Sequence, residues 1–131
     1  MDTILNAVFG LTNPKEPNDG IQRFASIIGL ASEKEQYYRE LHAKAWPGVV
    51  NQLKKSNIQN YSIYVTEIDK KKYLFSYFEY VGTDFDKDMC DIAKEEETQK
   101  WWKETDPCQI ILDGVKDGEH WKPLERVFLL E

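Results

Sequence analysis

The segment Tyr73 to Tyr80, YLFSYFEY, restricts the fold more than any other part of the chain. Its aromatic side chains suit a β-strand. A strand in a sheet covered on one face alternates apolar and polar residues. This one does not: Tyr73, Phe75 and Tyr77 fall on one face, and Leu74, Phe78 and Tyr80 on the other. Both faces therefore need cover. Helices of the same chain can supply one cover and the sheet of a second copy the other. The pattern predicts a homodimer whose two sheets form a barrel around a shared interior.

A partner strand, Tyr61 to Glu67 (YSIYVTE), lies just upstream, and IDKKK between the two suits a hairpin. The dense basic run Lys70-Lys71-Lys72, beside Asp69, then belongs to a turn. A net charge of -6 and a pI near 5.0 agree with that reading. Such a chain repels nucleic acid and anionic membranes, so neither is an expected partner.

Other elements surround the hairpin. Arg23 to Leu30 (RFASIIGL) reads as a first strand. Ser32-Glu33-Lys34-Glu35 has the form of a capping box opening a helix to about Ala45. Pro47 disfavours helical geometry at Trp46 and suits the first position of a new helix, with Val49, Val50 and Leu53 on its apolar side. A helical region runs from about Asp84 to Glu104, with a break near Glu97 where Thr98 reads as a fresh N-cap. Residues 106–123 are irregular, marked by Pro107, Asp113-Gly114 and Asp117-Gly118. Leu124 to Leu130 (LERVFLL) reads as a final strand. The order β-α-β-β-α-β predicts an α+β fold, a ferredoxin-like antiparallel sheet with helices on one face. Two such sheets make a dimeric α/β barrel.

The 131 residues suffice for one domain with a real core. TNPKEPNDG (Thr12 to Gly20) marks a linker, so residues 1–20 read as an extension and 21–131 as the domain. The apolar stretch Ile4 to Leu11 falls short of the roughly 20 residues that a membrane span needs. Asp2 precedes it in place of a basic leader region. Cys90 and Cys108 form no CxxC pair and have no histidine at ligand spacing. A reduced, cytoplasmic protein without a metal site is the simplest reading.

His42 follows Tyr38 by four residues, so both occupy one face of the first helix and can reach one ligand. Histidine titrates near neutrality and suits proton transfer, though it also serves as a structural or solvated side chain. Trp101 and Trp102 are adjacent and point about 100° apart on a helix, so one should line a pocket while the other packs. Asp106 reads either as a second acid–base or orienting carboxylate, or as a cap ahead of Pro107. His120 and Trp121 lie in a long loop that could close over a pocket, but a histidine in a Gly-rich loop is usually solvated and stays outside the expected site. Tyr64, Tyr73, Tyr77 and Tyr80 read as core or interface residues.

Three motifs occur together: Tyr38-x-x-x-His42-x-x-x-Trp46-Pro47, Asn60-Tyr61-Ser62-Ile63-Tyr64, and Trp101-Trp102-Lys103-Glu104-Thr105-Asp106. In this order and spacing, from Arg23 to the closing ERVFLLE, the chain resembles the L-rhamnose mutarotase family. The resemblance implies a dimeric α/β barrel that equilibrates the anomers of a free sugar without metal or cofactor. It implies that His42 is the catalyst and that Tyr38, Tyr61, Trp101 and Trp102 line the sugar site; Asp106, from the reading of the residues above, is a further candidate for substrate binding. The chain carries Ala43-Lys44 where the bacterial rhamnose enzymes usually carry Asn-Pro, and it differs at TDPCQ and the loop after it. L-Rhamnose and L-fucose, both 6-deoxyhexoses, therefore stay open as substrates. Two other classes remain: a sugar-binding module that does not need His42, and a cofactor-dependent oxygenase of the same barrel architecture.

Overall fold

A computed structural model describes residues 19–130. The expected extension, residues 1–20, therefore lies outside the described residues except for Asp19 and Gly20. Strand β1 (Gln22–Leu30) leads through a short 3-10 turn (Ser32–Lys34) into helices α1 (Glu35–Ala43) and α2 (Pro47–Lys55). The hairpin β2 (Ile58–Ile68) and β3 (Lys71–Tyr80) follows, then α3 (Phe85–Lys94) and α4 (Glu96–Thr105). After a second 3-10 turn (Asp106–Cys108) come two short strands, β4 (Gln109–Ile110) and β5 (Lys122–Pro123). The antiparallel sheet runs β2-β3-β1-β4, with β5 also paired to β1. This is the expected ferredoxin-like order.

Local chemistry explains most element boundaries. Ile68 pairs with Lys71, leaving Asp69 (φ 51°) and Lys70 (φ 65°) as a two-residue turn with both central residues left-handed. Pro47 is the first residue of α2, as expected. The capping box does not form. Ser32 lies within the 3-10 turn, so Ala31 takes the cap position without a side-chain bond. Glu35 instead binds Arg39 at 2.8 Å and Lys72 at 3.4 Å. Thr98 is not the cap of α4 either. Glu95 is, accepting from the Glu97 and Thr98 amides at 2.9 and 2.8 Å, so the helical region breaks at Glu95.

The expected strand Leu124 to Leu130 is absent. The Leu124 amide still bonds to the Ala25 carbonyl at 2.8 Å, but the pairing with β1 stops there. The fourth-strand place is shared by β4 and β5. The strand-like sequence lacks a ladder partner among the described residues of one chain, which leaves Val127, Phe128 and Leu130 at 88%, 75% and 82% exposure.

A β-bulge decides which residues of β2 face the helices. Gln59 pairs with Glu79, yet Ser62 pairs with Tyr77, so Asn60 and Tyr61 together oppose Phe78. Asn60 sits at φ 49°, and its amide donates to Glu79 at 2.8 Å. Because side chains alternate along a strand, one extra residue inverts the faces beyond it. Ile58 faces the helices before the bulge, and Tyr61, Ile63 and Val65 do so after it. That face carries two core clusters. Phe24, Ile58 and Tyr80 pack with Phe85 and Ile92 of α3. Ile28, Leu30 and Leu74 pack with Tyr38 of α1 and Cys108. The opposite face carries the row Tyr64, Phe75 and Ile27, with Tyr64 61% exposed.

Candidate active site

Tyr38 and His42 occupy adjacent turns of α1, with their rings stacked at 4.2 Å. His42 Nδ1 lies 2.8 Å from the Tyr38 carbonyl oxygen. A carbonyl only accepts, so Nδ1 carries the proton of the neutral ring and Nε2 holds the lone pair. Burial pushes the His42 pKa below its ordinary value, which favours the neutral, basic form at pH 7. Burial also raises the Tyr38 phenol above the ordinary tyrosine range, so its hydroxyl stays neutral.

Helix α4 brings the tryptophans to this pair. Trp101 is buried, edge-on to His42 at 5.0 Å and to Trp46 at 5.1 Å. Trp102 is 40% exposed. The orientation of α4 against α2 is fixed by Glu97, whose carboxylate accepts from the Gly48 amide at 2.6 Å. A glutamate of one helix thus satisfies a free N–H at the start of another. A Cβ at position 48 would lie 2.4 Å from the Glu97 carboxylate, so a larger residue there would push that side chain out of this contact.

Together with β2, β4 and the loop before β5, these elements enclose a cavity of about 520 Å³. Tyr38, His42, Tyr61, Trp101, Trp102 and Asp106 all border it. Both tryptophans reach it, and they divide by burial: Trp101 also packs into the protein, whereas Trp102 stays half open to solvent. Asp106 borders the cavity, but its side chain does not cap the second 3-10 turn: Thr105 takes the cap position and no side-chain cap bond forms.

Trp121, His120 and Gln109 add to the wall. Trp121 lines it and packs against the cluster around Ile28. His120 also lines it, although its loop context pointed to a solvated side chain. Its Nε2 lies 2.7 Å from Gln109 Oε1 and 3.7 Å from Asp106 Oδ1. Gln109 Nε2 in turn donates to the Tyr38 hydroxyl at 3.3 Å. Gln109 carries no sequence signal, because a neutral amide on a two-residue strand gains meaning only from its neighbours in space. Among the described residues no group of three or more His, Cys, Asp or Glu side chains is placed to hold a metal ion, and no helix is long and apolar enough to cross a membrane.

A cavity of this size, walled by aromatic rings and a few directed polar groups, belongs to the class of small-ligand sites that suit a sugar. The profile of the L-rhamnose mutarotase family matches residues 23–130. An L-rhamnose mutarotase of Listeria monocytogenes is 38% identical over 111 residues, covering 84% of this chain and 99% of that protein. The L-rhamnose mutarotase of Bacillus subtilis is 31% identical over 115 residues, covering 85% and 100%. The crystal structure of an L-rhamnose mutarotase from Formosa agariphila superposes with a TM-score of 0.61 at 28% identity, covering 84% of this chain and 99% of that one. The chain belongs to the L-rhamnose mutarotase family, a family of carbohydrate isomerases.

Proposed function

We propose that this enzyme interconverts the α and β anomers of a free 6-deoxyhexose of the L-rhamnose type, with His42 as the acid–base catalyst. The observation that carries the reading is the 2.8 Å contact between His42 Nδ1 and the Tyr38 carbonyl oxygen in an aromatic cavity, from which Nε2 follows as the base. O1 and O5 of a pyranose are bonded to the same carbon, so one nitrogen can serve both. His42 Nε2 takes the proton of the anomeric hydroxyl and delivers it to O5. The O1–H and C1–O5 bonds break while C1=O1 and O5–H form, giving the open aldehyde and a neutral imidazole. Rotation about C1–C2 exposes the other carbonyl face, and the reverse transfers close the ring. Trp101 and Trp102 offer surfaces for the C–H faces of the sugar, and Tyr38, Tyr61 and Asp106 offer polar contacts to its oxygens.

We also assign the catalytic fold to residues 21–131 acting as a cytoplasmic homodimer without a cofactor. The exposed Tyr64, beside half-buried Phe75 and Ile27 on the open sheet face, and the uncovered Val127, Phe128 and Leu130 support the dimer. Apolar surface of this extent calls for a partner. Saturation-transfer NMR on anomeric protons, with catalytic protein and a panel of free sugars, tests the activity. L-Rhamnose or L-fucose should give the largest acceleration, and exchange at the uncatalysed rate for every sugar would refute the reading.

A further inference from the structure

Asp106, His120, Gln109 and Tyr38 form one chain of polar contacts along the cavity wall. Two oxygens, Asp106 Oδ1 and Gln109 Oε1, face the same nitrogen, His120 Nε2. A lone pair there would point at a carboxylate and be repelled, so the proton resides on Nε2. That fixes the next link. Gln109 must turn its oxygen to His120 and its NH₂ to Tyr38, in the sense given by the 2.7 and 3.3 Å contacts. The Tyr38 oxygen is then an acceptor, and its own hydrogen is free for a ligand in the cavity.

We propose that Asp106, His120 and Gln109 act as a directional relay that commits the Tyr38 hydroxyl to donate to the ring oxygen of the bound sugar, making His120 a positioning residue. The assignment rests on the sugar reading above. The ring oxygen is the one position that selects for this polarity, because it carries no hydrogen in the closed sugar and can only accept. Negative charge grows on it as C1–O5 breaks, so a pre-aimed donor helps more in the transition state than in the ground state. Asp106 acts on this relay through Oδ1 and the tautomer of His120, which leaves its other carboxylate oxygen for the sugar.

The test combines kinetics with a direct view of the proton. His120→Ala should lower kcat about tenfold with KM within about twofold, as expected for an interaction that strengthens in the transition state. His120→Gln should restore most of the rate, because an amide N–H can replace the Nε2 donor but cannot shuttle protons as imidazole does. In a Tyr38→Phe background, His120→Ala should add no further loss. Losses that multiply, with no rescue by glutamine, would show His120 acting on the sugar itself and overturn the relay. Nitrogen-15 NMR of the wild-type imidazoles should place the neutral His120 proton on Nε2, and a proton on Nδ1 overturns the relay even if His120→Ala does not fold. A wild-type protein that exchanges no sugar refutes the functional reading, while the tautomer measurement still decides the relay.

Discussion

His42 Nδ1 and the carbonyl oxygen of Tyr38 lie 2.8 Å apart, a contact one helical turn long that fixes which nitrogen of the imidazole is the base. Burial holds the pKa of this ring below its ordinary 6.5. The base is therefore ready at pH 7. The exchange rate should be flat around neutrality and fall only as the pH drops below the ordinary histidine range. Because the folded pKa is depressed, the contribution of His42 to stability is present above the unfolded value and is lost as pH falls through the folded one. A pH profile of kcat/KM checks this, and a rate that falls on raising the pH through 7 contradicts it.

Replacing His42 by alanine should cut the exchange rate by about 10²–10⁴-fold, the range for a positioned acid–base group. Sugar affinity should fall far less, since Trp101, Trp102, Tyr38 and Tyr61 still border the cavity. Anomer exchange by NMR and sugar titration by tryptophan fluorescence separate the two effects. A folded variant that exchanges at the native rate would move the catalytic role to another residue, with Asp106 the next to replace.

Asn60 should resist substitution by any residue that dislikes left-handed backbone. Asn60→Val places a β-branched side chain at φ 49° and should cost about 1–3 kcal/mol in urea denaturation. Asn60→Gly should cost much less, because glycine adopts this conformation freely. Deleting Asn60 leaves Tyr61 alone opposite Phe78, so Tyr61, Ile63 and Val65 keep the helix-facing side in a regular ladder and that variant should still fold.

Tyr80 is 1% exposed, and its hydroxyl donates to Asp88 at 2.5 Å while accepting from the Asp84 amide at 3.1 Å. Tyr80→Phe strands both partners and should destabilise by about 1–3 kcal/mol. The hydrogen bonds from Tyr80 and Asn57 hold the Asp88 carboxyl below the usual carboxylate range. That stability exists above the unfolded aspartate pKa and is lost as pH falls through the folded one. The acid limb of the stability curve should therefore shrink in Tyr80→Phe, as denaturation between about pH 2 and 5 would reveal.

Light scattering at micromolar concentration should give the mass of a dimer. Phe75→Glu puts a charge in the middle of the Tyr64, Phe75 and Ile27 row and should yield monomers. A monomeric wild type would contradict the two-sheet barrel.

Much of this architecture was legible in the sequence because its causes are local. Pro47 can begin a helix but not continue one, and this alone separates α1 from α2. Four-residue spacing puts Tyr38 and His42 on one face whatever surrounds them. The aromatic and apolar residues on both faces of Tyr73 to Tyr80 demand cover on both sides before any partner is known. Tertiary structure decided the rest. Ser32 and Thr98 have the chemistry of caps, yet backbone geometry and Glu95 took those places. Leu124 to Leu130 has the composition of a strand, but a strand exists only where another edge bonds to it. Gln109 and His120 joined the site through a loop that returns to β1 beside Tyr38. Their meaning lies in contacts between residues far apart in the chain, and such contacts depend on the closed fold rather than on any short stretch of sequence.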